Sequence, residues 1–162
     1  QNDIDLLVGY IENFIKNNPK DNSYYNDILD IMGNVLLFND SDKFKEYRLG
    51  MYKLYQNKQR ESIEIFETIT KDENQDIADK ISYELANLYY LHGEIQLSLN
   101  ILATINNESP YAESALLFEA EIYDYIINNK SKAVDTYLFY LDKFPDSMHY
   151  DLVRTRLRKL AS

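Results

Sequence analysis

Cysteine is absent from this 162-residue chain, and so is tryptophan. Without thiols there is no disulfide, no thiolate zinc site and no cysteine nucleophile. Glycine occurs 4 times and proline 3 times, too rarely for the many tight turns of a β-sandwich or barrel. The longest apolar run, residues 137–141, is far shorter than a membrane span requires, so this segment is not expected to insert into a bilayer. Basic residues are outnumbered, 17 Lys and Arg against 27 Asp and Glu, for a net charge of −10. That surface would repel phosphate backbones and anionic lipid, which argues against a nucleic-acid partner. There is no initiator Met, charged leader or apolar signal core, so any targeting signal is expected to have been removed or never included.

What is present points to helices. Hydrophobic residues make up 45% and charged residues 27%, which is a globular balance rather than a disordered one. Ile77, Ile81, Leu85, Leu88 and Leu91 recur at three and four residues, as do Ile95, Leu99, Leu102 and Ile105. One face of a helix has this spacing, and no stretch keeps the period-two alternation of a strand. Polar clusters break the pattern into nine predicted helices, near 3–17, 22–38, 41–56, 59–70, 77–92, 95–106, 111–127, 130–143 and 147–160. Ser41 and Ser147 are placed to cap the helices that begin beside them. Ser109 precedes Pro110, which would take a first helical position.

The helices repeat. Gly50, Ala86 and Ala120 are spaced by 36 and 34 residues, and Ser62, Ser98 and Ala133 by 36 and 35. Each pair of small residues would lie where two antiparallel helices cross closely, because bulk there would force the backbones apart. Phe66, Leu102 and Tyr137 each come one turn after the second small residue, on the same face. Pro110 and Pro145 are 35 apart.

Leu85-Ala86 with Tyr89, then Ser98, Leu102 and Pro110, resembles the tetratricopeptide-repeat pattern without a gap. Ala120 with Tyr123, then Ala133, Tyr137 and Pro145, is similar, with one extra residue at the turn near Asn128. Leu49-Gly50 with Ser62 and Phe66 forms the earliest unit, although Lys53 stands where tyrosine is usual. The leading aromatic of the pattern is replaced by Glu46, Ser82 and Leu116. The resemblance implies an all-α fold, a right-handed solenoid of helical hairpins with a C-terminal capping helix. Residues 43–147 would hold three repeats, and residues 1–42 an irregular helical pair that continues a longer array. In 1–42, Phe14 and Pro19 are spaced like a repeat's end, which conflicts with counting hairpins back from Gly50. Residues 148–162 would form the cap, with Leu152, Leu157 and Leu160 covering the last hairpin and Arg154, Arg156, Arg158 and Lys159 facing outward.

Segments 109–115 and 144–147, with the basic helix after them, are similar to repeat boundaries in bacterial cell-envelope repeat proteins, of the outer-membrane assembly lipoprotein and Tol-Pal accessory types. That resemblance implies an exported scaffold, in the periplasm or at the periplasmic face of the outer membrane; a cytoplasmic location is the alternative.

Catalytic constellations are poor. His92 and His149 are the two histidines, and neither has neighbouring ligands in sequence. Asp72, Asn74 and Asp76 mimic the start of a calcium loop, but Ile77 stands at the glycine position and Tyr83 at the bidentate acid. No glycine-rich phosphate cradle exists. We therefore expect no enzyme activity, no metal and no cofactor.

What remains is recognition. Solenoids of this type bind segments of other proteins on the concave face lined by the first helices. The resemblance places Tyr47, Met51 and Leu54 there from the first hairpin, Lys80, Tyr83, Asn87 and Tyr90 from the second, and Leu117, Glu121 and Asp124 from the third. Lys80 and Asn87 resemble part of the family's clamp for a C-terminal carboxylate. Tyr47, Met51 and Glu84 occupy the positions where the rest of that clamp would need Lys, Asn and a base. The expected function is a non-catalytic scaffold that holds an apolar or weakly basic segment of a partner protein. The alternative is a structural subunit that stacks on another copy, or another protein, through terminal repeats; the sequence leaves the oligomeric state open between them.

Overall fold

The helices begin and end close to where the polar clusters put them. The structure, a computed structural model, describes residues 3–18, 20–38, 42–71 and 74–161; Pro19, Ser41 and Asp72, named above, lie outside these. Among the described residues the secondary structure is helical throughout: α1 (Asp3–Asn17), α2 (Tyr25–Phe38), α3 (Asp42–Tyr55), α4 (Gln59–Ile69), α5 (Gln75–Leu91), α6 (Ile95–Leu102), α7 (Ala112–Glu121), α8 (Lys130–Lys143) and α9 (Tyr150–Ala161). A π-helical turn, Ile122–Ile126, continues α7. Each helix packs chiefly on its neighbour in sequence.

Several boundaries differ from the expected ones for local reasons. Ser109 does not cap α7 directly; its Oγ accepts the Tyr111 N–H at 3.2 Å and its carbonyl the Ala112 N–H at 3.0 Å. Pro110 sits in that turn rather than inside the helix. Ser147 likewise accepts the His149 N–H at 2.9 Å, and α9 starts only at Tyr150. α6 stops at Leu102 because Thr104 and Ile105 donate to carbonyls three residues back, a tightened last turn. Asn74 of the calcium-like stretch caps α5, its Oδ1 accepting the Asp76 N–H at 3.1 Å.

Each of the three hairpin turns holds one left-handed residue. Asn57, Gly93 and Asn128 adopt left-handed backbone, with φ of 59°, 77° and 57°. Only glycine and asparagine do this readily. At the first two, the left-handed residue donates to the carbonyl three back (Leu54, Tyr90) and the next residue to the carbonyl five back (Lys53, Tyr89). That is a Schellman closure, which satisfies carbonyls left open at a helix end. In the third hairpin Ile127 donates five residues back to Ile122, and Asn129 six back to Tyr123. The extra residue noted in the sequence is thus absorbed as a π turn. After each turn, Ser62, Ser98 or Ala133 closes the next helix on the carbonyl of Lys58, Glu94 or Asn129.

The small residues lie where the spacing predicts. Gly50, Ser62, Ala86, Ser98, Ala120 and Ala133 are all buried, and so are Phe66, Leu102 and Tyr137. Position 53 also shows how one site is filled differently: Lys53 reaches Glu61 at 2.5 Å across the first hairpin. In the third, Lys132 lies 4.9 Å over the ring of Tyr123, at corresponding positions.

The chain divides into two compact units, Gln1–Ile69 and Thr70–Ser162. In the first, an aromatic column forms the core: Phe38 stacks on Tyr47 at 4.9 Å and Tyr47 on Phe66 at 6.0 Å. Among the described residues of α1 and α2, only Ile11, Val35 and Phe38 are buried. In the second unit one apolar cluster gathers Ala86, Leu99, Leu102, Ile105, Ala115 and Ile122. A second gathers Ala120, Ala133, Tyr137, Tyr140 and Val153. The helix α9 covers this second cluster through Val153, Leu157 and Leu160. Leu152, expected to cover it, is 63% exposed and Val153 takes its place, while Leu157 and Leu160 pack as expected.

Candidate functional site

A groove of about 850 Å³ opens in the second unit, between α5, α7 with its π turn, and the loop that leads into α9. α5 contributes Tyr83, Asn87 and Tyr90, which share a face because they stand four and three residues apart. Phe118 of α7 holds the two tyrosines in place. Its ring meets Tyr90 edge-on at 5.2 Å and Tyr83 at 6.5 Å, and Tyr83 stacks on Tyr111 at 6.3 Å. Such offset and edge-to-face pairs are favoured by the ring quadrupoles. The Asn87 amide donates to the Tyr83 carbonyl at 2.8 Å. One of its two N–H groups is engaged within the helix, which leaves the second N–H and the oxygen for a partner.

Leu117, Glu121, Tyr125 and Ile126 form the facing wall. The loop at 146–149 closes the end, pinned by a small polar cluster. Glu113 Oε1 accepts from the Tyr140 hydroxyl at 2.9 Å and from Ser147 Oγ at 2.6 Å, and these two hydroxyls lie 2.6 Å apart. Burial, reinforced by Glu113 and opposed by Ser147, pushes the Tyr140 hydroxyl up to about 12. Met148, beside this anchor, is 89% exposed.

Five of the residues expected to bind a partner are therefore brought together: Tyr83, Asn87, Tyr90, Leu117 and Glu121. The other five are placed otherwise, Leu54 being half-buried on α3 and not part of this groove. Lys80 is buried, 3.5 Å from Glu84 and 5.7 Å from the centre of the Tyr111 ring. Asp124 is buried, not on the groove. Its carboxylate accepts two hydrogen bonds of 2.6 Å from Arg156 and one of 3.2 Å from the Tyr137 hydroxyl. The guanidinium holds Asp124 below the usual carboxylate range against the opposing effect of burial. Arg156 is thus not an outward-facing cap residue; it clamps α9 to the π turn, with its guanidinium 4.7 Å over the Tyr125 ring. Tyr47 is buried in the aromatic column of the first unit. Met51 lines a different apolar groove within that unit, of about 880 Å³, with Leu7, Ile31, Phe44 and Tyr52.

Sequence reasoning missed Phe118, Tyr125, Ile126 and the loop 146–149. The extra residue before Asn128 was the available signal for Tyr125 and Ile126, because a π turn shifts the face by one position. The loop carries no periodicity, and its approach depends on the Glu113–Tyr140–Ser147 contact.

No helix of the described residues is long and apolar enough to cross a membrane. Compared with known proteins, the chain matches no protein-family model and no curated protein.

Proposed function

We propose that this chain is a non-catalytic interaction module that holds a segment of a partner protein in the groove of residues 70–162. The observation that carries this is the groove itself, where two tyrosines, an asparagine acceptor and apolar residues from three elements converge. Partly exposed aromatic rings of this kind anchor protein interfaces, since they cover large apolar area with little rotamer entropy to lose. The three hairpins, each with a left-handed turn residue and buried small residues at the repeat spacing, support a tetratricopeptide-like solenoid as the scaffold. The boundary motifs support a bacterial-envelope setting.

The test is selection of peptides from a random displayed library on the full chain, then titration against Asn87→Ala and Met148→Asp. Met148 is exposed and Asn87 bonds only within its helix, so both variants should fold. Recovered peptides should lose affinity for both variants; peptides indifferent to both would remove the groove from the function.

A second reading, self-association through the first unit, is favoured by its apolar exposure. Tyr10 is 67% and Leu36 61% exposed, on α1 and α2. Sedimentation over a range of concentrations should then show a mass that rises with concentration; a constant monomer mass excludes it.

A further inference from the structure

We propose that the segment taken by this groove is cationic, carrying a lysine or arginine among apolar residues; this rests on the groove being the partner site. The charged side chains that line it decide the sign. Glu113, Glu121 and Asp146 are acidic, no lysine or arginine lines it, and His149 is its one basic side chain among the described residues. Their states differ. Glu113 already accepts from two hydroxyls. Glu121 makes no hydrogen bond or ion pair among the described residues, and desolvation by its surroundings raises its pKa despite the nearby His149. Glu121 is exposed at the groove wall, so its carboxylate is open to a charge-assisted hydrogen bond from an arriving cation.

The uncharged lining agrees. Asn87 commits one amide N–H to its own helix; its oxygen remains to accept from a cationic or backbone donor, and its second N–H can meet a carbonyl. Tyr83, Tyr90 and Tyr125 offer ring faces, and Tyr125 already holds the Arg156 guanidinium on one of them. Phe118, Ile126 and Met148 would cover the aliphatic stem, which lysine and arginine bury while their charged heads stay on polar partners. An acidic segment would meet three like charges and no compensating lysine or arginine. The chain's net charge of −10 would also steer cationic partners toward it.

The experiment uses the full chain and random dodecapeptides displayed on phage, with recovered peptides synthesised and titrated at low and high salt. Lysine or arginine beside apolar residues should be enriched. Glu121→Gln should weaken those peptides roughly tenfold, the order expected for one charge-assisted hydrogen bond. Glu121→Lys should weaken them further, and both losses should shrink at high salt. Thermal unfolding of each variant checks that the fold persists. Peptides that depend on Asn87 and Met148 but lack basic residues, or ignore Glu121→Gln, would overturn the cationic inference and leave the groove reading standing. A selection that yields no peptide dependent on Asn87 or Met148 would overturn both.

Discussion

Gly50 and Gly33 are both helical glycines of the first unit, and replacing each with alanine should change stability in opposite directions. A Cβ on Gly33 meets nothing within 4 Å. The position is exposed within α2, so Gly33→Ala should stabilise by about 0.5–1 kcal/mol through backbone entropy alone. A Cβ on Gly50 would instead enter the ring of Phe66, 2.8 Å from Cδ1 and 3.0 Å from Cζ, with Cε1 nearer still. That ring cannot retreat easily, because it is fully buried and Tyr47 stacks on it at 6.0 Å. Overpacking of this kind costs about 1–3 kcal/mol, against a propensity gain of about 1 kcal/mol, so Gly50→Ala should be destabilising by up to about 2 kcal/mol.

The repeat supplies a rescue. In the next hairpin alanine stands at the corresponding position, Ala86, and it is accommodated with Leu102 where Phe66 stands here. Phe66→Leu should therefore destabilise the parent but relieve Gly50→Ala, with a coupling of about 1–2 kcal/mol in the double-mutant cycle. Urea unfolding monitored by far-ultraviolet circular dichroism measures all four proteins, and both glycines report on the same unit. Equal stabilisation by the two alanines, or strict additivity with Phe66→Leu, would refute the close crossing at Gly50.

Ser62 and Ser98 are buried with no hydrogen-bond partner for either hydroxyl, and alanine fills the same position at Ala133; Ser98→Ala should raise stability by about 1 kcal/mol in the same urea assay. The Asp124–Arg156 pair should respond to pH with a definite sign. The folded Asp124 pKa is depressed, so its contribution is present above about pH 4, the unfolded aspartate value, and is lost as pH falls through the folded value. Arg156→Met should cost about 3 kcal/mol at neutral pH by leaving Asp124 buried without its cation, and more than Asp124→Asn, which leaves a partly exposed arginine free to hydrate. Thermal midpoints between pH 3 and pH 7 check this, and an acid response unchanged in Asp124→Asn would count against it.

Much of the fold was legible because some constraints are local or depend on volume alone. Left-handed turn closure asks for asparagine or glycine, and Asn57, Gly93 and Asn128 mark it openly. A close helix crossing asks only for a small side chain, so the series from Gly50 to Ala133 could be read without knowing what each residue touches. Charge placement is different, because an arginine on a capping helix looks the same whether it faces water or a buried aspartate. Arg156 reaches Asp124 across 32 residues of sequence, and nothing in the local pattern of α9 distinguishes it from Arg154 or Arg158. The exchange at the start of α9, with Val153 inward instead of Leu152, has a related cause. Both are apolar, and docking on α8 decides between them.

The misplacement of Asp124 and the shape of the groove have a common origin in the π turn. Counting by α-helical steps from Leu117 puts Glu121 and then Asp124 on one face, since offsets of four and seven residues align at 3.6 per turn. A turn closed by a bond five residues back is wider and delays that face by about one position. The groove therefore continues from Glu121 to Tyr125 and Ile126, while Asp124 rotates inward to the Tyr137 hydroxyl and the Arg156 guanidinium. One inserted residue thus moves a carboxylate out of the groove and puts an aromatic ring in its place. It also creates the buried charge that fixes the last helix. Glu121 is left without an arginine, since Arg156 is engaged by Asp124, and this gives the groove an acid to offer a partner.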